Sequence, residues 1–314
     1  MQSGGWAIDR DTLTQKILAS ADRHIADYIE EFLGGLEDKP RRLRYTIERL
    51  TQNVREILLS MIDEFAASQF VPVGFEVALG DRKHPFAFDA GGRTVLLSGM
   101  VDRIDLWEIG GVKYVRVVDY KSGRKEFSFS DIENGFGIQL LLYLFALLAD
   151  DPTMQPAGVL YKPIGKQRIA LKPGMSREKM EAEIRKAQRS KGLILDDDGV
   201  ILAMEAVGEG KSAQFIPVAI DGGKVSRSRS SLADRRQFDI LKAHISRLLR
   251  ETRDALVAGS IDCDPFSDSC DFCDYHRICR FDPSNGKDGF REKIQLRKPA
   301  FFERHAAEAE EVKP

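Results

Sequence analysis

The chain has 314 residues, of which 43% are hydrophobic and 31% are charged, and its formal net charge is −2 at pH 7. These proportions are those of an ordinary globular protein that can bury a sizeable core. The small net charge excludes a general basic field, so contact with nucleic acid would need a local basic patch or a partner subunit.

A helical segment is predicted for residues 1–69. Its apolar residues recur at helical spacing in two runs, and Lys39 and Pro40 mark a break between two helices. His24 lies in this segment without a flanking motif, so we expect an ordinary exposed helix residue.

Short β-like runs follow from residue 70 to residue 121. Two glycine pairs, Gly91-Gly92 and Gly110-Gly111, separate these runs and are suited to tight turns. We therefore expect β-hairpins in this part of the chain.

Helical patterns return after the strands. Ser130 resembles an N-cap that opens a helix running to about Asp150, and residues 156–164 are predicted to form another strand. Further amphipathic helices are predicted at residues 176–191 and 231–258. This order of elements predicts an α/β fold, with a mixed sheet flanked by helices.

The longest apolar run, residues 140–149, is much shorter than the ~20 residues that a membrane helix needs. The start of the chain also lacks the basic and apolar regions of a signal peptide. We therefore expect a cytoplasmic protein that makes no use of a membrane.

The run VVDYKS carries Asp119 and Lys121 into a strand that is otherwise built for burial. Burying an unpaired charge costs several kcal/mol, so such residues usually pair, bind an ion or take part in chemistry. A two-residue turn at Gly110 and Gly111 would place Asp102 directly opposite Asp119. Facing Cβ atoms lie roughly 4.5–5.5 Å apart, so the two carboxylates would repel each other unless a cation or a shared proton lay between them.

A hard divalent cation, Mg²⁺ or Mn²⁺, is the ion expected between Asp102 and Asp119. Lys121, on the same face, could stabilise charge on a phosphate oxygen or orient the attacking water. This combination predicts phosphodiester hydrolysis, with Glu76 on the neighbouring strand as a candidate third carboxylate. The alternative is a simple salt bridge between Asp119 and Lys121.

The other face of the same hairpin carries two facing pairs. The register places Asp105 opposite Arg116 and Trp107 opposite Tyr114. We interpret these as a structural ion pair and a structural aromatic pair.

Two further groups of residues are candidates for contact with DNA. Gln139 and Tyr143 stand at i and i+4 of a predicted helix and could hold a backbone phosphate or a flipped-out strand, although local structural roles are an equal alternative. Arginines between residues 226 and 236 could follow a phosphate backbone, but such a run is more often a solvated helix entrance.

Three motifs together resemble the RecB-type branch of the PD-(D/E)XK nucleases. They are G-x-V-D-R-I-D, V-D-Y-K-S and Q-x-x-x-Y, which begin at Gly99, Val118 and Gln139. The order of these motifs, followed by C-x-x-C-x-x-x-x-x-C from Cys270, is similar to the C-terminal region of the AddB family, which belongs to the bacterial helicase–nucleases.

The resemblance implies a restriction-endonuclease-like core in which Asp102 and Asp119 are the Mg²⁺ ligands and Lys121 is the catalytic lysine. It also implies that Gln139 and Tyr143 contact DNA, and that an AddA-type subunit is the partner in ATP-dependent processing of broken DNA ends for repair. No Walker motif occurs in the sequence, so an ATPase would lie elsewhere. The rival interpretations are a non-catalytic docking module and a free-standing RecB-like exonuclease.

All four cysteines lie between residues 263 and 279. In a cytosolic chain, such clustering favours a metal or an iron–sulfur cluster over disulfides. The resemblance implies a [4Fe–4S] cluster held by Cys270, Cys273 and Cys279 with a fourth cysteine upstream. Cys263 has no counterpart in the family, so it is either a bystander or the fourth ligand of a local zinc or cluster site.

The resemblance also implies that the sequence is a piece of a longer protein. The family has a histidine motif and a first cluster cysteine before the nuclease core, and neither occurs in residues 1–70. We therefore expect an incomplete cluster and a weak or inactive nuclease when the chain is isolated. The predicted domains are a helical segment (1–69), a nuclease core (70–260) and a cysteine-rich segment (261–314).

Overall fold

The computed structural model describes residues 10–80, 86–89, 94–164, 174–207, 213–221, 224–286 and 288–307. Two long helices come first, α1 (Arg10–Leu33) and α2 (Arg41–Ala67). Pro40 stands immediately before α2, where its missing N–H group costs no helical hydrogen bond. The predicted break between two helices is confirmed, and His24 is exposed, as expected.

Five strands occupy the next part of the chain. In order they are β1 (Val71–Leu79), β2 (Phe86–Asp89), β3 (Thr94–Leu97), β4 (Gly99–Ile109) and β5 (Val112–Lys121). Gly110 and Gly111 both adopt positive φ angles, 59° and 79°, as a two-residue turn between β4 and β5 requires. This predicted turn is confirmed, whereas the one predicted at Gly91 and Gly92 lies outside the described residues.

Helices and strands then alternate. The remaining elements are α3 (Phe129–Glu133), α4 (Gln139–Asp150), β6 (Met154–Pro163), α5 (Arg177–Gln188), β7 (Lys191–Leu195), α6 (Asp198–Met204), β8 (Ile220–Asp221), β9 (Lys224–Val225), β10 (Leu232–Ala233), α7 (Arg235–Val257) and α8 (Lys298–Arg304). The strand predicted at residues 156–164 and the helices predicted at residues 176–191 and 231–258 correspond to β6, α5 and α7.

A six-stranded sheet in the order β1-β4-β5-β6-β7-β10 is the main scaffold. The pairs β4·β5 and β6·β7 are antiparallel, whereas β5·β6 and β7·β10 are parallel, so the sheet is mixed, as predicted. Val115, Val117 and Val118 on β5 are at most 1% exposed, although successive side chains point to opposite faces. The centre of the sheet is therefore buried on both faces.

The helix predicted from Ser130 to Asp150 is in fact two helices, so the prediction of one continuous helix is wrong. Ser128, not Ser130, caps α3, and its hydroxyl accepts a hydrogen bond from the Asp131 N–H at 3.1 Å. Gly135 and Gly137 then adopt positive φ angles of 80° and 63°, which end α3 and separate it from α4.

The structure divides into two compact units, each assembled from three stretches of chain. The first comprises Met1–Val77, Val101–Glu126 and Asp151–Ala233, and the second comprises Ala78–Met100, Phe127–Asp150 and Asp234–Pro314. The first unit contains most of the six-stranded sheet with α1, α2, α5 and α6, and the second contains β2, β3, α3, α4, α7 and α8. The three consecutive domains expected from the sequence stay a prediction.

Within the second unit, aromatic side chains form the core around α8. The ring of Phe129 contacts Phe301 and Phe302, with both centroid distances 5.3 Å, and Phe301 also packs against His244 on α7. Phe301 and Phe302 are buried, so the last described helix is held by its own core. No helix in the described parts of the chain combines the length and the apolar character needed to cross a membrane.

Candidate active site

The β4·β5 hairpin has the register that the glycine turn predicts. Its last paired positions are Arg103 opposite Val118, so Asp102 and Asp119 are the next positions along the two strands. Burial raises the pKa of the Asp119 carboxyl above its usual range, Lys121 lowers it, and the charge of Asp102 raises it again. The two carboxylates are therefore close enough to influence each other.

A backbone hydrogen bond fixes Asp102. Its Oδ2 atom accepts the N–H of Tyr120 at 2.7 Å, where the strand ladder would otherwise continue. Tyr120 directly follows Asp119, so this bond ties the Asp102 carboxylate to the part of β5 that carries the second aspartate.

Asp119 is 5% exposed and lies beside Lys121. The Lys121 Nζ atom is 2.6 Å from Asp119 Oδ2, and the lysine side chain remains 37% exposed. The salt bridge considered as an alternative is therefore present. It does not satisfy the carboxylate, because Oδ2 is buried and accepts no well-directed hydrogen bond from the described residues.

A buried carboxylate oxygen without a well-directed hydrogen bond costs about 1–3 kcal/mol unless a cation compensates. Together, Asp102 and Asp119 provide a set of oxygen donors on adjacent strands, which is the ligand type that Mg²⁺ and Mn²⁺ prefer. The residues present thus fit a divalent metal ion. Lys125, which the sequence analysis missed, adds a second positive charge that lowers the pKa of Asp119.

Glu76 lies on β1 with an exposed side chain and a φ angle of +49°. It is the one non-glycine residue in the described chain with positive φ, a conformation that is unfavourable for a side chain with a Cβ atom. Its carboxylate makes no hydrogen bond or ion pair with the described residues. Its role as a third carboxylate stays a prediction.

In the second unit, Gln139 and Tyr143 contact each other on the first turns of α4. Gln139 Nε2 donates a hydrogen bond to the Tyr143 hydroxyl at 2.8 Å. Gly99 lies against this tyrosine, because a Cβ atom at position 99 would come within 2.5 Å of the Tyr143 hydroxyl. The i, i+4 geometry predicted for the pair is confirmed, and its contact with DNA stays a prediction.

The other face of the hairpin contains a buried network of charges. Arg116 Nε donates to Asp105 at 2.7 Å, and the Trp107 and Tyr114 rings are 5.5 Å apart, so both predicted pairs are confirmed. Asp105, Arg116 and Arg103 are all fully buried, which the sequence analysis did not predict.

Two residues from other elements complete this network. Glu64 on α2 accepts a hydrogen bond from Arg103 NH2 at 2.6 Å and lies 2.8 Å from Lys162 Nζ on β6. Burial works to raise the pKa of Glu64, but the charges of Lys162, Arg103 and Arg116 lower it to about 2. The network therefore ties α2 to three adjacent strands of the sheet.

A second buried polar cluster, which the sequence analysis also missed, lies in the second unit. Glu133, His244 and His305 bring one ligand atom each within 4.8 Å of one another. His305 Nε2 is 2.6 Å from Glu133 Oε2, while the two ring nitrogens of His244 contact the Ile132 carbonyl and Arg247. Because these atoms are already engaged, we interpret the cluster as an anchor for α8.

The cysteines lie on the surface of the second unit. Cys263, Cys273 and Cys279 are exposed, and Cys270 is half-buried. Cys263 Sγ is 3.4 Å from Cys279 Sγ, and this contact raises the pKa of the Cys263 thiol to about 11. Among the described residues, no three cysteine sulfurs lie within 4.8 Å of one another, so the geometry gives no support to a preformed zinc site.

Two of the arginines between residues 226 and 236 form surface ion pairs. Arg227 contacts Asp196 at 2.9 Å and Asp198 at 2.8 Å, and Arg229 contacts Asp221 at 2.8 Å. The structure therefore favours the solvated-surface interpretation of these two side chains.

Comparisons with known proteins agree with the hairpin motif. The model of the PD-(D/E)XK nuclease superfamily matches residues 9–280. The chain is similar to the AddB-type subunit of the ATP-dependent helicase/deoxyribonuclease of Clostridium acetobutylicum, with 36% identity over 291 residues, 88% of this chain and 25% of that protein.

The same protein of Clostridium novyi is 35% identical over 283 residues, 86% of this chain and 24% of that protein. Its counterpart in Alkaliphilus metalliredigens is 30% identical over 316 residues, 96% of this chain and 27% of that protein. The chain thus spans about a quarter of the length of these curated relatives. Because the superfamily match covers most of its length, the chain belongs to the PD-(D/E)XK nucleases.

Proposed function

We propose that the chain is a metal-dependent deoxyribonuclease that hydrolyses phosphodiester bonds of DNA. The observation that carries the proposal is the buried Asp119 Oδ2 atom, which accepts no well-directed hydrogen bond from the described residues although Lys121 Nζ lies 2.6 Å away. An oxygen in this position is suited to a metal ion, and the half-exposed ammonium group beside it is suited to a phosphate.

In this proposal Asp102 and Asp119 hold one Mg²⁺ or Mn²⁺ ion. When bound, such an ion supplies Lewis-acid polarisation of a phosphoryl oxygen and lowers the pKa of a bound water. The hydrogen bond from Tyr120 N–H keeps the Asp102 carboxylate in place. Lys121 stabilises negative charge that develops on the phosphate or orients the attacking water, and its exposed side chain allows it to move between Asp119 and the substrate.

We further propose that the chain works as the nuclease part of a larger protein that resembles its relatives. Their printed names describe an ATP-dependent helicase/deoxyribonuclease, so the natural setting is DNA end processing with an AddA-type partner subunit in the cytoplasm. In that setting Gln139 and Tyr143 contact the DNA strand. Cys270, Cys273 and Cys279 supply three thiolates to a [4Fe–4S] cluster, and the fourth comes from another part of the larger protein.

The test is an assay of Mg²⁺- and Mn²⁺-dependent cleavage of single-stranded DNA, by the chain alone and in the complete two-subunit enzyme. We expect cleavage that a chelator abolishes and that Lys121→Ala lowers roughly 10²- to 10³-fold, with little change in DNA affinity. Lys113→Ala is the matched control, because Lys113 lies on the same strand and its side chain is 40% exposed, against 37% for Lys121.

Two outcomes would contradict the proposal. If the complete enzyme with Lys121→Ala cuts as fast as the Lys113→Ala control, Lys121 has no catalytic role. If the variant instead loses DNA affinity and cleavage in equal measure, the site is a binding surface, as in the docking-module interpretation.

A further inference from the structure

A pocket in the second unit has no role in the proposed cleavage chemistry. It has a volume of about 360 Å³, within the usual range for small-molecule sites. Most of its wall is apolar or backbone, from residues on α4, on the segment before it and on the β-strands of this unit. The lining residues are Leu79, Leu97, Ser98, Gly99, Gly137, Ile138, Gln139, Leu142, Tyr143 and Ala146.

The polar groups of this pocket are concentrated in one pair. Gln139 uses one amide hydrogen to donate to the Tyr143 hydroxyl, and neither side chain makes another hydrogen bond with the described residues. The Gln139 Oε1 atom therefore remains available as an acceptor, and its second amide hydrogen and the tyrosine hydroxyl hydrogen remain available as donors. Donors and acceptors side by side match the polar edge of a nucleobase.

Charge argues against a phosphate in the same place. None of the described residues that line the pocket is charged, so a phosphate inside it would have no counter-ion. An unpaired charge in such surroundings is costly, whereas a planar uncharged ring is favoured by apolar walls and by the aromatic face of Tyr143.

We propose that this pocket receives one unpaired nucleobase of a single DNA strand. The base stacks against Tyr143, and Gln139 with the tyrosine hydroxyl contacts its polar edge. The inference rests on the proposed function in one respect, namely that the ligand is DNA. It separates the base contact of Gln139 and Tyr143 from the phosphate contact that their residue types alone would equally allow.

Gly99 acts as a positioning residue for this pocket. A methyl group at position 99 would lie 2.5 Å from the Tyr143 hydroxyl and 2.7 Å from its Cε1 atom, so the ring would have to move. Gly99→Ala is therefore expected to disturb base binding without any change of polarity or charge.

The experiment measures the affinity of single-stranded oligonucleotides by fluorescence anisotropy in a chelator, so that no cleavage occurs. An abasic nucleotide is placed at each position of the strand in turn. We expect one position at which loss of the base weakens binding roughly 5- to 150-fold, the range for one stacked base. Leu142→Trp, which fills the pocket, should weaken binding of the intact strand by a similar factor and abolish the effect of the abasic position.

Leu148→Trp is the matched control, because Leu148 is a half-buried leucine on the same helix that does not line the pocket. It should keep the abasic effect. A second readout needs no variant: 2-aminopurine at the sensitive position should change its fluorescence on binding, and at neighbouring positions it should not.

The inference is overturned if abasic substitution has the same effect at every position, or if the effect survives in Leu142→Trp. Its failure is distinct from failure of the proposed function. Metal-dependent cleavage without a sensitive base position would overturn only the pocket, whereas a sensitive position without cleavage by the complete enzyme would overturn only the nuclease. A chain that binds no single-stranded DNA would overturn both.

Discussion

Replacing Glu64 by glutamine tests the buried charge network, because it keeps the size of the side chain and removes its charge. The carboxylate is 2.6 Å from Arg103 NH2 and 2.8 Å from Lys162 Nζ, and its side chain is 4% exposed. The variant would leave Arg103, Arg116 and Lys162 with Asp105 as the one acidic member of the network. Breaking a buried ion pair in this way typically costs about 3–5 kcal/mol.

The pKa of Glu64 gives an independent magnitude. Although burial opposes it, the neighbouring cations lower this pKa from 4.5 to about 2. Linkage converts that difference into about 3 kcal/mol of stability at neutral pH. The folded-state pKa lies below the unfolded value, so the stabilisation is complete above about pH 5 and is lost as the pH falls toward 2.

The assay is urea unfolding of the wild type and Glu64→Gln between pH 7 and pH 3. We expect a loss of free energy of unfolding of about 3 kcal/mol at pH 7 that shrinks to about 1 kcal/mol at pH 3. Glu48→Gln, at an exposed position on the same helix, is the control and should stay within about 0.5 kcal/mol of wild type. A loss below about 1 kcal/mol at pH 7, or one that does not shrink with pH, would refute the assignment.

Two further substitutions test local features of the fold. Glu76→Gly should raise the free energy of unfolding by up to roughly 1 kcal/mol, because glycine tolerates the φ angle of +49°; urea unfolding beside Glu76→Gln, which keeps the strain, checks this, and destabilisation by glycine would contradict it. His305→Ala should cost about 1–3 kcal/mol, because Glu133 loses its 2.6 Å partner. Hydrogen exchange in α8 should then accelerate, whereas exchange as slow as in the exposed control His24→Ala would show that the cluster does not anchor this helix.

The hairpin and its site could be predicted because they depend on local rules. A two-residue glycine turn fixes the strand register, and the register alone places Asp102 next to the Asp119 position. The break between α1 and α2 follows in the same way from a proline.

The features that the sequence analysis missed depend on contacts between distant parts of the chain. Nothing near Glu64 in the sequence indicates that Arg103 and Lys162 will surround it, since these residues come from two strands of a sheet that forms only on folding. Ser128 and Ser130 are equally good caps by residue type, and the choice between them depends on the glycines that end α3.

The most direct test of the central claim is calorimetric titration of the chain with Mn²⁺. The account predicts one ion per chain, lost in Asp119→Asn and in Asp102→Asn. Lys121→Ala and Asp150→Asn should keep it, because Lys121 is not a ligand and Asp150 is exposed at the end of α4. If Asp119→Asn binds Mn²⁺ as the wild type does, the paired aspartates are not a metal site and the proposed cleavage mechanism is wrong.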